Sequence, residues 1–125
     1  MALLKASDLF LFLSNIEASP LVLFEAVAAK LPFVAAPAGN AAEIAQWTKA
    51  GVIVEAQTDS KGKVHASIDD ASRQLVALAN HPTRRLKLGR IGRQAWEDHF
   101  TWEKITQQYL DLYFSLVNNR KQEGS

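Results

Sequence analysis

Short apolar runs and helical patterns alternate along the first half of the chain. Residues 9–13 (LFLFL) form a continuous apolar stretch between Asp8 and Ser14-Asn15. Such a run predicts a strand buried on both faces, as in a parallel sheet covered by helices. Residues 33–36 (FVAA), set between Pro32 and Pro37, predict a second strand, and residues 52–54 after Gly51 a third. Between them lie two helical segments. Ser19-Pro20 offers a capping hydroxyl followed by proline at the first helical position, opening a helix through LVLFEAVAAK that stops before Pro32. Asn40 is placed to cap the next helix, AAEIAQWTKA, which ends at Gly51. Strand, helix, strand, helix, strand with short links predicts right-handed crossovers and a parallel α/β sheet.

The second half reads differently. Residues 57–67 (QTDSKGKVHAS) are polar and contain Gly62, which predicts a loop. Ser67-x-x-Asp70 resembles a capping box and starts a helix reaching Asn80. His81-Pro82 breaks it and permits another from about residue 83 to His99, in which Gly89 and Gly92 mark places where packing requires small residues. A last helix, 102–118, carries Trp102, Ile105, Tyr109, Leu112 and Leu116 as one apolar stripe, read as core packing. Residues 119–125 are expected to be a disordered tail.

Composition narrows the function classes. The 125 residues suit one domain, and 48% apolar with 22% charged residues is ordinary for a globular protein. A net charge of +1 gives no general attraction to nucleic acid or an anionic membrane. The absence of cysteine excludes disulfides, thiolate metal sites and a cysteine nucleophile. It fits a cytoplasmic location, which is the expectation. Lys5 and Asp8 interrupt the apolar opening, so it does not read as a signal peptide. No apolar run approaches the about 20 residues that cross a bilayer.

Candidate chemistry concentrates where strands lead into helices, the ligand-binding edge of α/β sheets. Residues 14–20 (SNIEASP) link the first strand to the helix carrying Glu25, and residues 37–40 (PAGN) link the second to the helix carrying Glu43. Free amides at Ser19-Pro20-Leu21 suit a phosphate. Glu25, inside the helix, can accept two hydrogen bonds from a vicinal diol such as ribose. Glu17, just before the helix, can hold a hydroxyl of a neighbouring sugar. Together these describe a nucleoside-diphosphate sugar. Glu43 reads as a first-turn acid favoured by the helix dipole. His65, His81 and His99 read as structural, with no spacing that suits a metal. Arg84, Arg85, Lys87, Arg90 and Arg93 read as a solvated helix face.

The stretches Asp8-Leu-Phe-Leu-Phe-Leu-Ser14, Glu17-Ala-Ser-Pro-Leu-Val-Leu-Phe-Glu25 and Ala38-Gly-Asn-Ala-Ala-Glu-Ile44, with Thr101-Trp102-Glu103 later, resemble the group 1 (family 4) retaining glycosyltransferases. The resemblance covers nearly the whole chain. It implies that residues 1–118 are a partial C-terminal donor-binding domain of a GT-B enzyme, a Rossmann-like three-layer α/β unit that lacks its N-terminal acceptor domain. By it Glu25 would hold the ribose and Glu17 the donor sugar. Ala18, Ser19, Pro20 and Leu21 would face sugar or diphosphate, with Gly39 and Asn40 beside them. Configuration would be retained without metal or other cofactor, and the full-length enzyme could sit at a membrane surface.

Departures from the family pattern limit these expectations. The glycine-rich loop is here Ala18-Ser19-Pro20, the double glycine is Gly39-Asn40, and the segment around Lys61-Gly62-Lys63 is long. The basic pair that neutralises the diphosphate in the family has no counterpart, so the isolated chain is expected to be inactive. A homo-oligomer through the open edge of the first strand is expected. Two alternatives remain: a non-catalytic nucleotide-binding or protein-interaction module, and a fragment of a GT-B phosphorylase or sugar-nucleotide epimerase.

Overall fold

A computed structural model of the protein describes residues 2–123, with side chains described through residue 118. In chain order the elements are α1 (Ala2–Ala6), β1 (Phe10–Phe12), α2 (Leu21–Ala28), β2 (Phe33–Ala35), α3 (Ala41–Thr48), β3 (Gly51–Ile53), β4 (Ala56–Thr58), β5 (Val64–Ala66), α4 (Ile68–Ala79), α5 (Pro82–His99) and α6 (Trp102–Glu123). β1, β2 and β3 form a parallel sheet in that order, with Phe10, Phe33 and Gly51 in register. α2 and α3 make the two crossovers. The arrangement is the predicted partial Rossmann-like α/β unit, a short parallel sheet with helices on both faces.

β2 is central, and its side chains alternate between two cores. Phe33 and Ala35 pack with Leu23, Val27 and Ile44 of α2 and α3 and with Trp96 of α5. Val34 faces the opposite side with Ala71 and Leu78 of α4 and Leu88 of α5. Residues 9–13 are not buried on both faces as expected. β1 is the outer strand, and Leu11, in register with Val34, is 44% exposed because α4 covers β2 rather than β1.

The helix ends explain how α5 locks the layers. α2 stops two residues short of its predicted end, at Ala28, in a Schellman turn. Leu31 N–H donates to Ala26 O (2.9 Å), Lys30 N–H donates to Val27 O (3.0 Å), and Lys30 takes φ +63°. The backbone of α5 lies directly on this turn. A Cβ at Gly89 would sit 2.1 Å from Lys30 O, and one at Gly92 would sit 2.4 Å from Ala50 Cβ. Both glycines are therefore required by close packing, as predicted. The guanidinium of Arg93 donates to Ala28 O, covering a carbonyl that the ended helix leaves open. Arg85 does the same for α4, donating to Leu78 O and Ala79 O. The basic run is thus only partly a solvated face: Arg84, Lys87 and Arg90 are exposed, while Arg85 and Arg93 are helix caps.

Three other expectations change. α2 starts at Leu21 with Pro20 as N-cap, and no side chain caps it; Ser19 lies one residue too early to serve. Residues 57–67 are not a plain loop, since β4 and β5 pair antiparallel across them. Their turn is built on Asp59, whose carboxylate accepts from Lys61 N–H (2.8 Å) and Lys63 N–H (3.0 Å) and pairs with His65 Nε2 (3.0 Å). The stripe on α6 is not core. Trp102 is 83% exposed, and Tyr109, Leu112 and Leu116 are about half exposed, because no other described element lies over them. Of the expected tail, residues 124–125 and the side chains of 119–123 lie outside what is described.

Ser67 caps α4 as predicted, accepting from Asp70 N–H at 3.2 Å. The buried Asp70 carboxylate does not complete the box; it accepts from Glu55 N–H (2.9 Å) and from Arg73 and Gln74, pinning α4 to the end of β3.

Two predictions follow from this packing. Gly89→Ala gains about 1 kcal/mol of helix propensity, yet overpacking against the Lys30 carbonyl costs about 1–3 kcal/mol more than an unstrained site. Urea unfolding will show a lower midpoint for the variant; an unchanged or raised midpoint would mean that α5 does not lie on the turn. The Glu55 amide, with help from Gln74 and Arg73 and against the effect of burial, holds the Asp70 carboxyl below its ordinary 3.8. A lowered folded value means stability that is complete above that ordinary value and lost as pH falls through the folded one. Asp70→Asn, which does not titrate, should be less stable than wild type at pH 6, and the gap in urea midpoints should close as the pH falls below 3.8.

Candidate functional site

The carboxyl ends of β1 and β2 open into two loops that touch. Asn40 N–H donates to Ala18 O at 3.1 Å, and Gly39 lies on the same backbone with φ +56°. A Cβ at Gly39 would come within 2.5 Å of Ala18 O and 2.8 Å of Glu17 O. Only glycine satisfies both the left-handed conformation and the contact. The loop bearing Glu17 is therefore braced by the start of α3. Glu17 is half-buried there, and Glu25 is exposed one helical face further on. Neither carboxylate takes part in an ion pair among the described residues.

A groove of about 640 Å³ runs between α2, α3 and the junction of α5 with α6. Ser19, Leu21, Phe24, Glu25 and Ala28 form one side, Asn40 and Trp47 another, and Trp96, Phe100, Trp102 and Ile105 the third. Its wall is largely aromatic. Phe100 holds it together, 4.9 Å from Phe24 and 6.1 Å from Trp47 between ring centroids. Ser19, Glu25 and Asn40 are its polar members apart from the indole N–H groups.

Asn40 departs from its predicted role. It occupies the N-cap position of α3, but its side chain makes no capping bond, because ψ of 23° is not the extended backbone from which a cap reaches the second or third amide. Its Oδ1 is buried without a hydrogen-bond partner.

The structure thus gathers Ser19, Leu21, Glu25 and Asn40 in one groove. It places Glu17, Ala18 and Gly39 in the loop contact beside it, and it buries Pro20, whose carbonyl accepts from Leu23 N–H at 3.0 Å. The amides of Leu21 and Val22 fall in the first turn of α2, where no intrahelical partner exists. The aromatic wall had no local signal: Trp47 and Trp96 sit in separate helices, and Trp102 read as core. Among the described residues no group of three acids, histidines or cysteines could hold a metal ion, and no helix is long and apolar enough to cross a membrane.

Residues 1–93 match the family described as glycosyl transferases group 1. The chain is 29% identical over 119 residues to N-acetyl-alpha-D-glucosaminyl L-malate synthase of Bacillus anthracis, covering 95% of this chain and 29% of that protein. It is 28% identical over 111 residues to alpha-maltose-1-phosphate synthase of Mycolicibacterium smegmatis, covering 89% of this chain and 28% of the relative. The enzyme of the same name from Mycobacterium tuberculosis (strain CDC 1551 / Oshkosh) is 30% identical over 111 residues, with 89% and 28% covered. The chain spans less than a third of the length of these relatives. The matched residues include both loops, the helix carrying Glu25 and the start of α3, and on that match the chain belongs to the group 1 glycosyl transferases.

Proposed function

We propose that this chain binds a nucleoside-diphosphate sugar and forms the donor side of a GT-B glycosyltransferase that retains anomeric configuration. The observation that carries this reading is the groove that Ser19, Asn40 and Glu25, whose carboxylate makes no ion pair among the described residues, line together beside the first turn of α2. Polar residues lining one groove beside the first turn of a helix suit a ligand with both hydroxyls and phosphate. In this reading Glu25 accepts from the ribose diol, and the N–H groups of Ala18, Ser19 and Leu21 face the diphosphate and sugar. Glu17 holds the donor sugar, and Asn40 accepts a further hydroxyl. Gly39 keeps the Glu17 loop low enough for these groups to converge.

Transfer breaks the bond between the anomeric carbon and the diphosphate oxygen and forms one to an acceptor hydroxyl, whose proton is lost. The amides and helix dipole stabilise the departing diphosphate, so the reading requires neither a metal nor another cofactor. Support for retention comes from the first of these relatives, whose name specifies an alpha-configured glucosaminyl product, the outcome of retention from an alpha-linked donor. The 125 residues supply one wall of the cleft. In this reading they bind the donor without transferring it, and a separate acceptor domain supplies the facing wall.

The outer edge of β1 has no partner strand among the described residues. A second copy pairing there is part of the proposal. Sedimentation should show dimers that dissociate on dilution, and a monomer at all concentrations would remove the pairing.

Calorimetric titration with UDP-glucose, ADP-glucose and GDP-mannose tests the donor site. Hydrogen bonds to a charged group contribute about 1.5–3 kcal/mol each. Glu25→Ala should therefore weaken the best-bound donor by about tenfold or more. Binding indifferent to the change would remove the ribose role, and no binding of any nucleotide sugar would contradict the reading.

A further inference from the structure

The β4–β5 hairpin takes no part in the parallel sheet, yet it is fastened to the loop that carries Glu17. Asn15 Nδ2 donates to Val64 O at 2.6 Å, and Val64 N–H donates back to Asn15 O at 2.9 Å. One residue thus satisfies both backbone groups of Val64 on the free side of β5. Val64 is itself firmly placed. It is buried with Ala36 and Ala38 at the end of β2, and Leu13, Ala56 and Ala66 close around it. The turn of the hairpin is set by three interactions with Asp59, so β5 is a fixed support rather than a loose flap.

The Glu17 loop therefore has two anchors. Asn15 ties it to β5 on one side, and Ala18 is tied to Asn40 and Gly39 on the other. Glu17 lies between them, two residues after the first anchor and one before the second. Backbone fixed on both sides sets the direction of the Glu17 Cα–Cβ bond, and so the space its carboxylate can reach, although the carboxylate makes no hydrogen bond of its own among the described residues. Such pre-organisation avoids the ordering cost that a free loop would meet on binding.

We infer that Asn15 is a positioning residue for Glu17, and that the β4–β5 hairpin acts through it as a splint for the sugar end of the donor site. This rests on the proposed contact between Glu17 and the donor sugar. Glu25 and the helix amides lie on the other side of the second anchor, so loss of the clamp should affect the sugar and spare the nucleotide. A purely structural role, in which Asn15 only satisfies the edge of β5, would instead lower stability and weaken nucleotide and nucleotide sugar alike.

The test is the ratio of affinities for a nucleotide sugar and its free nucleotide, using UDP-glucose with UDP, ADP-glucose with ADP and GDP-mannose with GDP. It is measured on the full chain for wild type, Asn15→Ala, Asn15→Ser, Glu17→Ala and the Asn15→Ala/Glu17→Ala double variant. Losing a hydrogen bond of this kind should lower the ratio by about threefold to tenfold in Asn15→Ala. The shorter Asn15→Ser, which keeps a polar side chain but cannot span to Val64 O, should do the same if the alanine variant folds poorly. In the Glu17→Ala background, Asn15→Ala should change the ratio no further, because both act on one contact. Equal weakening of sugar and free nucleotide, or additive effects in the double variant, would overturn the inference. If Glu17→Ala lowers the ratio and neither Asn15 variant does, the positioning role alone fails. If Glu17→Ala leaves it unchanged, the assigned contact between Glu17 and the sugar fails, and the role of Asn15 with it.

Discussion

The close approach of the α5 backbone to the turns that end α2 and α3 is the constraint on which the rest of this fold depends. Gly89 rests on Lys30 O and Gly92 on Ala50, so α5 lies nearer to its neighbours than any side chain would allow. That proximity lets Arg93 reach the open carbonyl of Ala28 and seats Trp96 in the core over Phe33 and Ala35. It also carries Trp96 and Phe100 to the groove, where they meet Phe24 of α2 and Trp47 of α3. Two packing contacts therefore hold α5 to both crossover helices and build the aromatic wall beside Glu25.

A second close contact acts at the other end of the sheet. Gly39 against Ala18 joins the two loops, and Asn15 against Val64 joins the first of them to the hairpin. Contacts of this kind, main-chain apart from Asn15 Nδ2, leave the neighbouring side chains free for a ligand. Glu17, Ser19, Glu25 and Asn40 are then held by the backbone around them and not by partners of their own.

Much of the fold could be read from the sequence because the signals were short and well punctuated. Pro32, Pro37 and Gly51 bound the inner strands, and Ser67 announces α4 by a hydroxyl that does cap it. What escaped depends on neighbours distant in sequence. The exposure of Leu11 follows from which strand α4 covers. The β4–β5 hairpin is held by Asp59, Asn15 and the packing of Val64, without an apolar alternation long enough to notice. Arg85 and Arg93 looked like surface charge because the carbonyls they cover belong to other helices. Periodicity in α6 correctly predicted a helix, but periodicity carries no information about what lies against its stripe. The positions of Glu17 in the loop and Glu25 in the helix followed from strand–turn–helix order, whereas the aromatic groove needed residues from four helices to be brought together.

The central claim is that the groove beside Glu25 and Asn40 receives the nucleoside end of a sugar donor. A crystal structure of the protein with the nucleotide sugar it binds best tests this directly. The account predicts both ribose hydroxyls within about 3 Å of the Glu25 carboxylate, with the ligand lying against Ser19 and Asn40. A nucleotide bound elsewhere, or one whose ribose leaves Glu25 in solvent, would contradict it.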